Sequence, residues 1–377
     1  MKIPFNTPYF TGNETIYIKD AVDRKRISGN GYYTQKCQAF FEEKYHFLKC
    51  LLTTSCTDAL EMAAILINIQ TGDEVIVPSY TFVSTANAFV LRGAKIVFAD
   101  SRKDHPGIDE EKIEALITSK TKAIVPVHYA GVACDMDKIM ALADKYNLFV
   151  VEDAAQAIDS YYTGKDGVKK PLGGIGHLAA FSFHETKNII SGEGGMLVVN
   201  DERFVKRAEI IWEKGTNRSA FFKGEVDKYG WVDVGSSFLP SEIISAFLWA
   251  QLENINDIQT KRSSLWAAYL EGLKSWANIQ GIQLPNVPNF ATNNAHMFYL
   301  ICKNANQRTN LIHYLKEHNI QAVFHYLSLH KSPYYLSKSD EVELFQTDFL
   351  SETLVRLPLY VNLDVDEVIQ RIIQFRS

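Results

Sequence analysis

Residues 148–156 read LFVVEDAAQ, and this stretch holds the pattern from which the fold can be worked out. The apolar run predicts a short buried strand over residues 148–152, with Asp153 following at its carboxyl end. Ligands bind beyond that end of parallel strands, and a buried carboxylate is costly unless a cation pairs with it. We therefore expect Asp153 to face a cationic group such as a protonated ring nitrogen. If the chain becomes helical there, Gln156 reaches an oxygen of the same ring; the alternative is that Asp153 merely caps a helix.

Similar short strands alternate with segments of helical period through the first two hundred residues. This alternation is typical of βαβ units and a parallel sheet, so the chain is predicted to be an α/β protein with a large domain over residues 1–250. The predicted strands are residues 49–53, 74–77, 95–99, 123–127, 148–152, 179–183 and 196–199. The predicted helices between them are residues 57–69, 84–92, 109–117 and 135–145.

The pattern changes after about residue 200. Long helical stretches at 203–214 and 240–276 precede a strand at 297–302 and helices at 307–318 and 365–375. These elements predict a smaller carboxyl-terminal α+β domain over residues 251–377. The Gly- and Lys-rich residues 161–176 are predicted to form a solvated hairpin.

Composition excludes several classes of protein. The 377 residues carry 39 Lys+Arg against 44 Asp+Glu, a formal net charge of −5, which argues against a nucleic-acid binder. The five cysteines are widely spaced and are interpreted as reduced thiols of a cytoplasmic protein. No signal peptide and no apolar run of about 20 residues is found, so no membrane insertion is expected.

A lysine follows Asp153 by 34 residues, in the segment FSFHETKN at 181–188. Lysines prefer solvent, and one held in a cleft at a sheet end loses basicity by desolvation, as Schiff-base chemistry requires. The glycines of GEGG at 192–195 allow the following backbone to turn and approach a ligand closely. Lys187 is therefore a candidate catalytic residue, the alternative being an ordinary surface lysine.

Two more strand ends carry candidate binding residues. The sequence LTTSCTDAL at 52–60 joins a strand to a helix, and the amino-terminal end of a helix suits a phosphate; a plain helix cap explains it equally well. The sequence PSYTF at 78–82 ends a second strand. Phe82 is placed to lie flat on a planar cofactor, or else packs in the core.

Together these motifs resemble the nucleotide-sugar family of fold-type-I aminotransferases that depend on pyridoxal 5'-phosphate, over essentially the whole chain. The resemblance implies that Lys187 binds the cofactor covalently and later shuttles a proton. It implies that Asp153 pairs with the pyridinium nitrogen, that Gln156 lies near the ring hydroxyl oxygen and that Phe82 stacks on the ring. The phosphate contacts it implies are the amides of Cys56 and Thr57 and the hydroxyl of Ser182.

Two positions depart from the family pattern. Cys56 stands where many relatives have glycine, and we interpret its thiol as structural. Ser237 stands where many relatives have an asparagine that reaches the phosphate of the neighbouring subunit's cofactor, and its hydroxyl still offers one hydrogen bond. The resemblance thus implies a homodimer with shared active sites.

Six segments are similar to the branch of the family that makes dTDP-4-amino-4,6-dideoxygalactose: residues 78–100, 125–134, 181–188, 213–219, 294–299 and 322–326. The implied substrates are a dTDP-linked keto-sugar, dTDP-4-keto-6-deoxyglucose, and L-glutamate. Amination at C4 to the gluco epimer, amination at C3, and a regulatory relative without turnover remain alternatives, whereas a dehydratase would have histidine in place of Lys187. The resemblance places Tyr80, His325 and Tyr326 near the sugar nucleotide. No metal is expected, because His325 and His330 lack a third ligand at suitable spacing.

Overall fold

The computed structural model describes residues 3–376 and arranges them around a seven-stranded sheet. The strand order is β1-β9-β8-β5-β4-β2-β3, and β9 runs antiparallel to both of its neighbours. The predicted seven-stranded, mostly parallel sheet is therefore confirmed. Its strands are β1 (Lys49–Thr53), β2 (Glu74–Pro78), β3 (Lys95–Ala99), β4 (Thr121–Ile124), β5 (Phe149–Asp153), β8 (Leu178–Ser182) and β9 (Gly195–Val199).

Helices cover both faces of this sheet, which is why its central strands are almost continuously apolar. Neighbouring residues of β5 point to opposite faces: Val150 joins a core with Phe41 and Ile139, and Val151 joins another with Leu60 and Phe89. The helices of this part are α1 (Glu14–Asp23), α2 (Tyr32–Tyr45), α3 (Cys56–Leu66), α4 (Ser84–Val90), α5 (Glu110–Ile113), α6 (Met136–Tyr146), α7 (Glu202–Trp212), α8 (Arg218–Phe222) and α9 (Glu242–Leu252).

A three-stranded antiparallel sheet of order β10-β12-β11 forms in the carboxyl-terminal part. It packs with helices around a separate hydrophobic core that includes Tyr269, Phe298 and Leu311, and Ile3 joins this core through a bridge to Ile320. The predicted domain boundary at residue 250 stays a prediction. The elements are α10 (Ile255–Gln280), β10 (Phe298–Ile301), α11 (Ala305–Glu317), β11 (Val323–Phe324), α12 (Pro333–Leu336), α13 (Phe345–Thr353), β12 (Leu354–Leu357) and α14 (Val365–Ile372).

The solvated hairpin predicted at 161–176 is confirmed for residues 161–171, since β6 (Tyr161–Thr163) pairs antiparallel with β7 (Lys169–Pro171) and the intervening lysine is exposed. Leu172 is buried instead. Three predicted elements differ most from the structure. The helix predicted over 109–117 is only the short α5, followed by a 3-10 turn at Glu114–Leu116. The helix over 240–276 is divided into α9 and α10, because Asn254 leaves helical geometry (φ −109°, ψ 12°). The strand predicted over 123–127 ends at Ile124, ahead of Pro126, which has no N–H to donate to a neighbouring strand.

Across residues 3–376, no helix combines the length and apolarity needed to cross a membrane.

Candidate active site

A cavity of about 600 Å³ opens beyond the carboxyl ends of the parallel strands. It brings together residues that are distant in sequence, as expected for this edge of a parallel sheet. Nine of the predicted site residues line it: Cys56, Thr57, Phe82, Asp153, Gln156, Ser182, Lys187, His325 and Tyr326. Two predicted residues, Tyr80 and Ser237, are not among the residues that line it.

Asp153 is the last residue of β5 and is 6% exposed. Its carboxylate accepts hydrogen bonds from the Thr85 hydroxyl at 2.7 Å and the Ala155 amide at 3.1 Å. Burial raises the pKa of Asp153, and the bond from Thr85 opposes the shift. No helix begins after Asp153, so its interpretation as a helix cap is wrong; the chain makes turns there instead.

Gln156 lines the cavity, as predicted. The prediction assumed that the chain becomes helical after Asp153, but the chain is not helical there. Its amide oxygen accepts from the Ala130 N–H at 2.6 Å, and its amide nitrogen donates to the Tyr326 hydroxyl at 3.3 Å. These two bonds fix the amide plane. Gln156 therefore links the end of β5 to the segment that follows β11.

Lys187 lies in the loop between β8 and β9 and faces the cavity. The loop is held by the next residue, Asn188, whose buried amide donates to Gln259 at 2.9 Å and to the Asn294 carbonyl at 2.7 Å. Burial lowers the pKa of Lys187, and the charge of Asp153 partly opposes this. The alternative of an ordinary surface lysine is wrong.

The amino-terminal end of α3 also faces the cavity. Ser55 caps the helix by accepting from the Asp58 amide at 3.1 Å, and Cys56 and Thr57 are its first two residues. Amides in the first turn of a helix have no partner within the helix and so are available to an anion. Burial raises the pKa of the Cys56 thiol well above its usual range, which keeps the sulfur uncharged.

Gly195 explains how β9 passes so close to this turn. A Cβ at residue 195 would lie 2.3 Å from the Ser55 carbonyl carbon and 2.4 Å from the Cys56 nitrogen, both backbone atoms. Any side chain would therefore displace the turn. The last glycine of the GEGG segment is required by packing beneath the α3 terminus.

Phe82 is 57% exposed, and its ring centroid lies 6.3 Å from that of Tyr326. A phenylalanine in the protein core would be almost fully covered, so the interpretation as core packing is wrong. The exposed face of the ring borders the cavity.

The chain is similar to a known protein family over nearly its whole length. The DegT/DnrJ/EryC1/StrS aminotransferase family matches residues 9–375. The chain belongs to this family. It is a sugar aminotransferase that depends on pyridoxal phosphate.

Individual relatives align with this aminotransferase over nearly their whole length. GDP-perosamine synthase of Escherichia coli O157:H7 is 32% identical over 375 residues, 97% of this chain and 96% of the relative. The spore coat polysaccharide biosynthesis protein SpsC of Bacillus subtilis (strain 168) is 31% identical over 385 residues, 98% of this chain and 96% of the relative. DesV of S. venezuelae, solved in complex with a ketimine intermediate, superposes with a TM-score of 0.86 at 29% identity, covering 97% of this chain and 95% of that one.

The groups that line the cavity of the aminotransferase match the charges and shape of pyridoxal 5'-phosphate. The Asp153 carboxylate is buried, and the hydrogen bonds it accepts come from uncharged donors, the Thr85 hydroxyl and the Ala155 amide, so a cationic ring nitrogen would suit it. An amine of lowered pKa lies in the same cavity, and an exposed aromatic ring borders it. The end of α3 supplies donors for a phosphate.

Tyr80 is fully buried and supports the wall of the cavity. Its ring packs 5.5 Å from Tyr129 and 5.8 Å from Tyr326, and its hydroxyl donates to the His325 carbonyl. The His325 ring is also engaged, because its Nδ1 lies 2.8 Å from the Tyr129 hydroxyl. Burial first, and then the charge of Arg356, lower the pKa of His325 well below its usual range. His325 is therefore neutral.

Ser237 is exposed and lies outside the cavity, where its backbone pairs with that of Glu213 in an isolated antiparallel β-bridge. Its contact with the partner's phosphate stays a prediction. Within residues 3–376, no group of three or more His, Cys, Asp or Glu side chains is arranged to hold a metal ion.

Several residues that line the cavity were not predicted from the sequence, among them Thr85, His296 and Arg356. Thr85 has a recognisable signal, because it follows Phe82 by three residues at the start of α4 and so lies on the same turn. Arg356 lies on β12, in the other sheet, and no local motif points to it.

Proposed function

We propose that this aminotransferase transfers the amino group of L-glutamate to C4 of dTDP-4-keto-6-deoxyglucose, giving dTDP-4-amino-4,6-dideoxygalactose and 2-oxoglutarate. The observation that carries the reaction is the presence of Lys187 and Asp153 in one cavity. The choice of substrate is supported by the six segments that resemble the branch of the family making this product.

The residues that line the cavity support the following roles toward the cofactor. When bound, pyridoxal phosphate supplies an electron sink and carries the amino group between the two substrates. Asp153 would hold a proton at the ring nitrogen, and the Thr85 hydroxyl bonds its carboxylate and keeps it in place. Gln156 would contact the ring oxygen, and Phe82 would cover one ring face. The amides of Cys56 and Thr57 and the Ser182 hydroxyl would hold the phosphate.

Lys187 moves the proton at the reacting carbon. Burial lowers the pKa of Lys187, so the neutral amine, the form that can accept a proton, is easier to reach than in a lysine surrounded by solvent. In the glutamate half-reaction the lysine would accept the proton from the α-carbon of the donor, and in the sugar half-reaction it would deliver a proton to one face of C4 of the sugar. Delivery to one face or the other decides between the galacto and the gluco product.

His325 and Tyr326 are proposed to contact the sugar nucleotide, since both line the cavity and the Tyr326 ring lies next to that of Phe82. Tyr80 is proposed to act through them, because it packs against Tyr326 and bonds the His325 backbone. A neutral histidine and a tyrosine hydroxyl offer hydrogen bonds to sugar oxygens without adding charge.

A homodimer with shared sites is proposed as the active form. The segment that contains Ser237 exposes several apolar side chains, among them Trp231 at 84% and Val232 at 55%. Exposed apolar groups in one segment are typical of a surface that is covered by a partner. Light scattering of the purified protein measures the assembly, and Trp231→Glu should shift it toward monomer.

The decisive experiment is incubation with dTDP-4-keto-6-deoxyglucose and L-glutamate, followed by NMR assignment of the product. An axial amine at C4 supports the proposal, whereas an equatorial amine, or an amine at C3, overturns it. Because one relative is named for a GDP-linked sugar, a GDP-linked keto-sugar is run in parallel, and preference for it also overturns the proposal. A cofactor absorbance band that no amino donor changes would instead indicate a regulatory protein.

A further inference from the structure

The imidazole of His296 lies in the wall of the cavity, and only one of its two ring nitrogens is bonded within the protein. The residue is 4% exposed and lines the cavity together with Lys187. Its Nδ1 lies 2.9 Å from the Oδ1 atom of Asn188. Its Nε2 has no hydrogen-bond partner among residues 3–376, and it is not one of the side-chain atoms that are sealed from solvent without a partner. Nε2 is therefore the nitrogen that is open to the cavity.

The bond with Asn188 decides which nitrogen of the His296 ring carries the proton. The Nδ2 atom of Asn188 donates to the Asn294 carbonyl at 2.7 Å and to the Gln259 side-chain oxygen at 2.9 Å. Because a carbonyl can only accept, the orientation of the Asn188 amide is fixed, and its Oδ1 is the acceptor of the bond to the ring. His296 must therefore donate from Nδ1. In a neutral imidazole the other nitrogen is then an acceptor, so Nε2 presents a lone pair to the cavity.

The surroundings of His296 keep the ring neutral. Arg262 donates to the backbone carbonyl of His296 at 2.8 Å. The groups that act on the ring most strongly are three cations and a neutral histidine: Lys187, Arg356, Arg262 and His325. Burial first, and then the charge of Lys187, lower the pKa of His296 well below its usual range. A second proton on the ring would add to this positive charge, so Nε2 remains an acceptor.

We propose that Nε2 of His296 accepts a hydrogen bond from the Lys187 amine whenever that amine is not bonded to the cofactor, which makes His296 a positioning residue. The inference rests on the proposed function, in which Lys187 moves the proton at the reacting carbon. Both side chains line one cavity, and Asn188, which holds the ring, directly follows Lys187 in the chain. The ring and the amine are thus anchored to the same loop, and the amine supplies the donor that Nε2 lacks.

This hydrogen bond directs the amine without moving a proton to the histidine. With one N–H of Lys187 held by Nε2, the lone pair of the amine points away from the ring and toward the rest of the cavity. In the glutamate half-reaction that lone pair accepts the α-proton of the donor, and in the sugar half-reaction the same nitrogen gives a proton up. Nε2 remains an acceptor in both. A fixed direction of transfer is what a positioning residue contributes to the rate.

The bond can be observed directly by nitrogen NMR of protein labelled at its histidines. The sample is the full chain loaded with the aminated form of the cofactor, which leaves the Lys187 amine free. The signals of His296 are assigned by their loss in His296→Asn, and they should show a protonated Nδ1 and an unprotonated Nε2. Lys187→Ala should shift the Nε2 signal toward that of a nitrogen without a donor. Tyr326→Phe, which removes a hydroxyl from the same cavity, should not shift it.

His296→Asn also separates the proposed bond from the packing of the ring. The new amide can still donate to Asn188 from the position of Nδ1, but it places no atom at the position of Nε2. The glutamate half-reaction, followed by cofactor absorbance, should slow about 10-fold at saturating L-glutamate, with an unchanged half-saturating concentration. The isotope effect of α-deuterated glutamate should rise, because proton transfer becomes slower relative to the other steps. His296→Gln, whose amide reaches the position of Nε2, should recover part of the rate.

The matched control is His105→Asn. His105 is 2% exposed, and its Nδ1 also makes one bond within the fold, accepting from the Gly107 amide at 2.9 Å. It does not line the cavity, so its replacement should change neither the rate of the half-reaction nor the isotope effect. Thermal melting and cofactor absorbance show that each variant is folded and loaded.

A protonated Nε2, or an Nε2 signal that Lys187→Ala does not shift, would overturn the proposal. A folded His296→Asn with the rate and isotope effect of wild type would also overturn it. A shift in Tyr326→Phe alone would assign the bond to the tyrosine hydroxyl instead of the amine. These results are distinct from failure of the proposed function, because the nitrogen spectra are recorded without substrate and do not depend on which keto-sugar is used.

Discussion

Replacing Gly195 by alanine tests whether the turn before α3 holds the cofactor phosphate. Gly195 pairs with Thr53 of β1 and with Ser182 of β8, directly beneath that turn. The new Cβ would lie 2.3 Å from the Ser55 carbonyl carbon, whereas an ordinary contact needs about 3.4 Å. Because the obstructing atoms are backbone, the turn must move by about 1 Å, a shift that takes the amides of Cys56 away from a bound phosphate.

This displacement should affect both the free energy of unfolding and the Kd of the cofactor. Overpacking of this kind lowers the free energy of unfolding by about 1–3 kcal/mol. Misplacing hydrogen bonds to a charged group costs about 1.5–3 kcal/mol of binding, so the Kd of the cofactor should rise about 10- to 100-fold. The assay is titration of cofactor-free protein with pyridoxal phosphate, followed by absorbance, beside thermal melting of the cofactor-free form.

The matched control is Gly230→Ala, because a Cβ there has no atom of the same chain within 4 Å and the residue is exposed. Since Gly230 adjoins Trp231, light scattering first checks that this variant assembles like wild type. It should change stability by less than about 0.5 kcal/mol and leave the cofactor Kd unaltered. A lower melting temperature of Gly195→Ala with an unchanged Kd would refute the assignment of the phosphate to this turn. An unchanged melting temperature of Gly195→Ala would refute the close contact between Gly195 and the Ser55 backbone.

Three further predictions concern the cofactor's other contacts. Lys187→Ala should still bind pyridoxal phosphate without a covalent bond but lose at least about 100-fold in turnover, measured by 2-oxoglutarate release; near-normal rates would mean that another lysine acts. Burial raises the pKa of Asp153, so the cofactor-free fold binds this proton more tightly than the unfolded chain and its stability falls as pH rises above the ordinary carboxyl range. Asp153→Asn should therefore raise the melting temperature of the cofactor-free protein at neutral pH, less so in acid, while weakening cofactor binding; a lower melting temperature at every pH would contradict this. Phe82→Ala should raise the cofactor Kd about 2- to 10-fold and Phe82→Tyr should not, and equal affinities of the two variants would exclude stacking.

The strands were predictable because their burial leaves a local trace. Both faces of the sheet are covered, so β1 and β3 appear as short apolar runs whose predicted bounds match the structure. The errors lie where a single residue acts against the pattern. Pro126 ends β4 early, and Asn254 divides a stretch whose helical period continues on both sides.

The candidate site was predictable in part for the same reason. Asp153 ends β5 and Lys187 lies in the loop that follows β8, and the loops beyond one edge of a parallel sheet converge. Thr85 and Arg356 were not predicted, because each reaches the cavity only through tertiary packing. The Thr85 hydroxyl bonds Asp153, and the Arg356 guanidinium comes from a separate sheet. Tyr80 was predicted near the substrate and lies behind Tyr326, a difference of one layer of side chains.

The sequence by itself determined the α/β order of elements and the loops after strands that carry Asp153, Lys187 and the α3 turn, and its resemblance to a known family indicated the cofactor. The order of elements and the loops depend on short-range patterns, which a chain carries whatever surrounds it. Tertiary structure alone decided that Gly195 passes beneath the Ser55 backbone and that Arg356 faces the same cavity as Lys187. Contacts between distant segments depend on which strands become neighbours and on how separate sheets are set against each other, and neither relation has a local signature in the sequence.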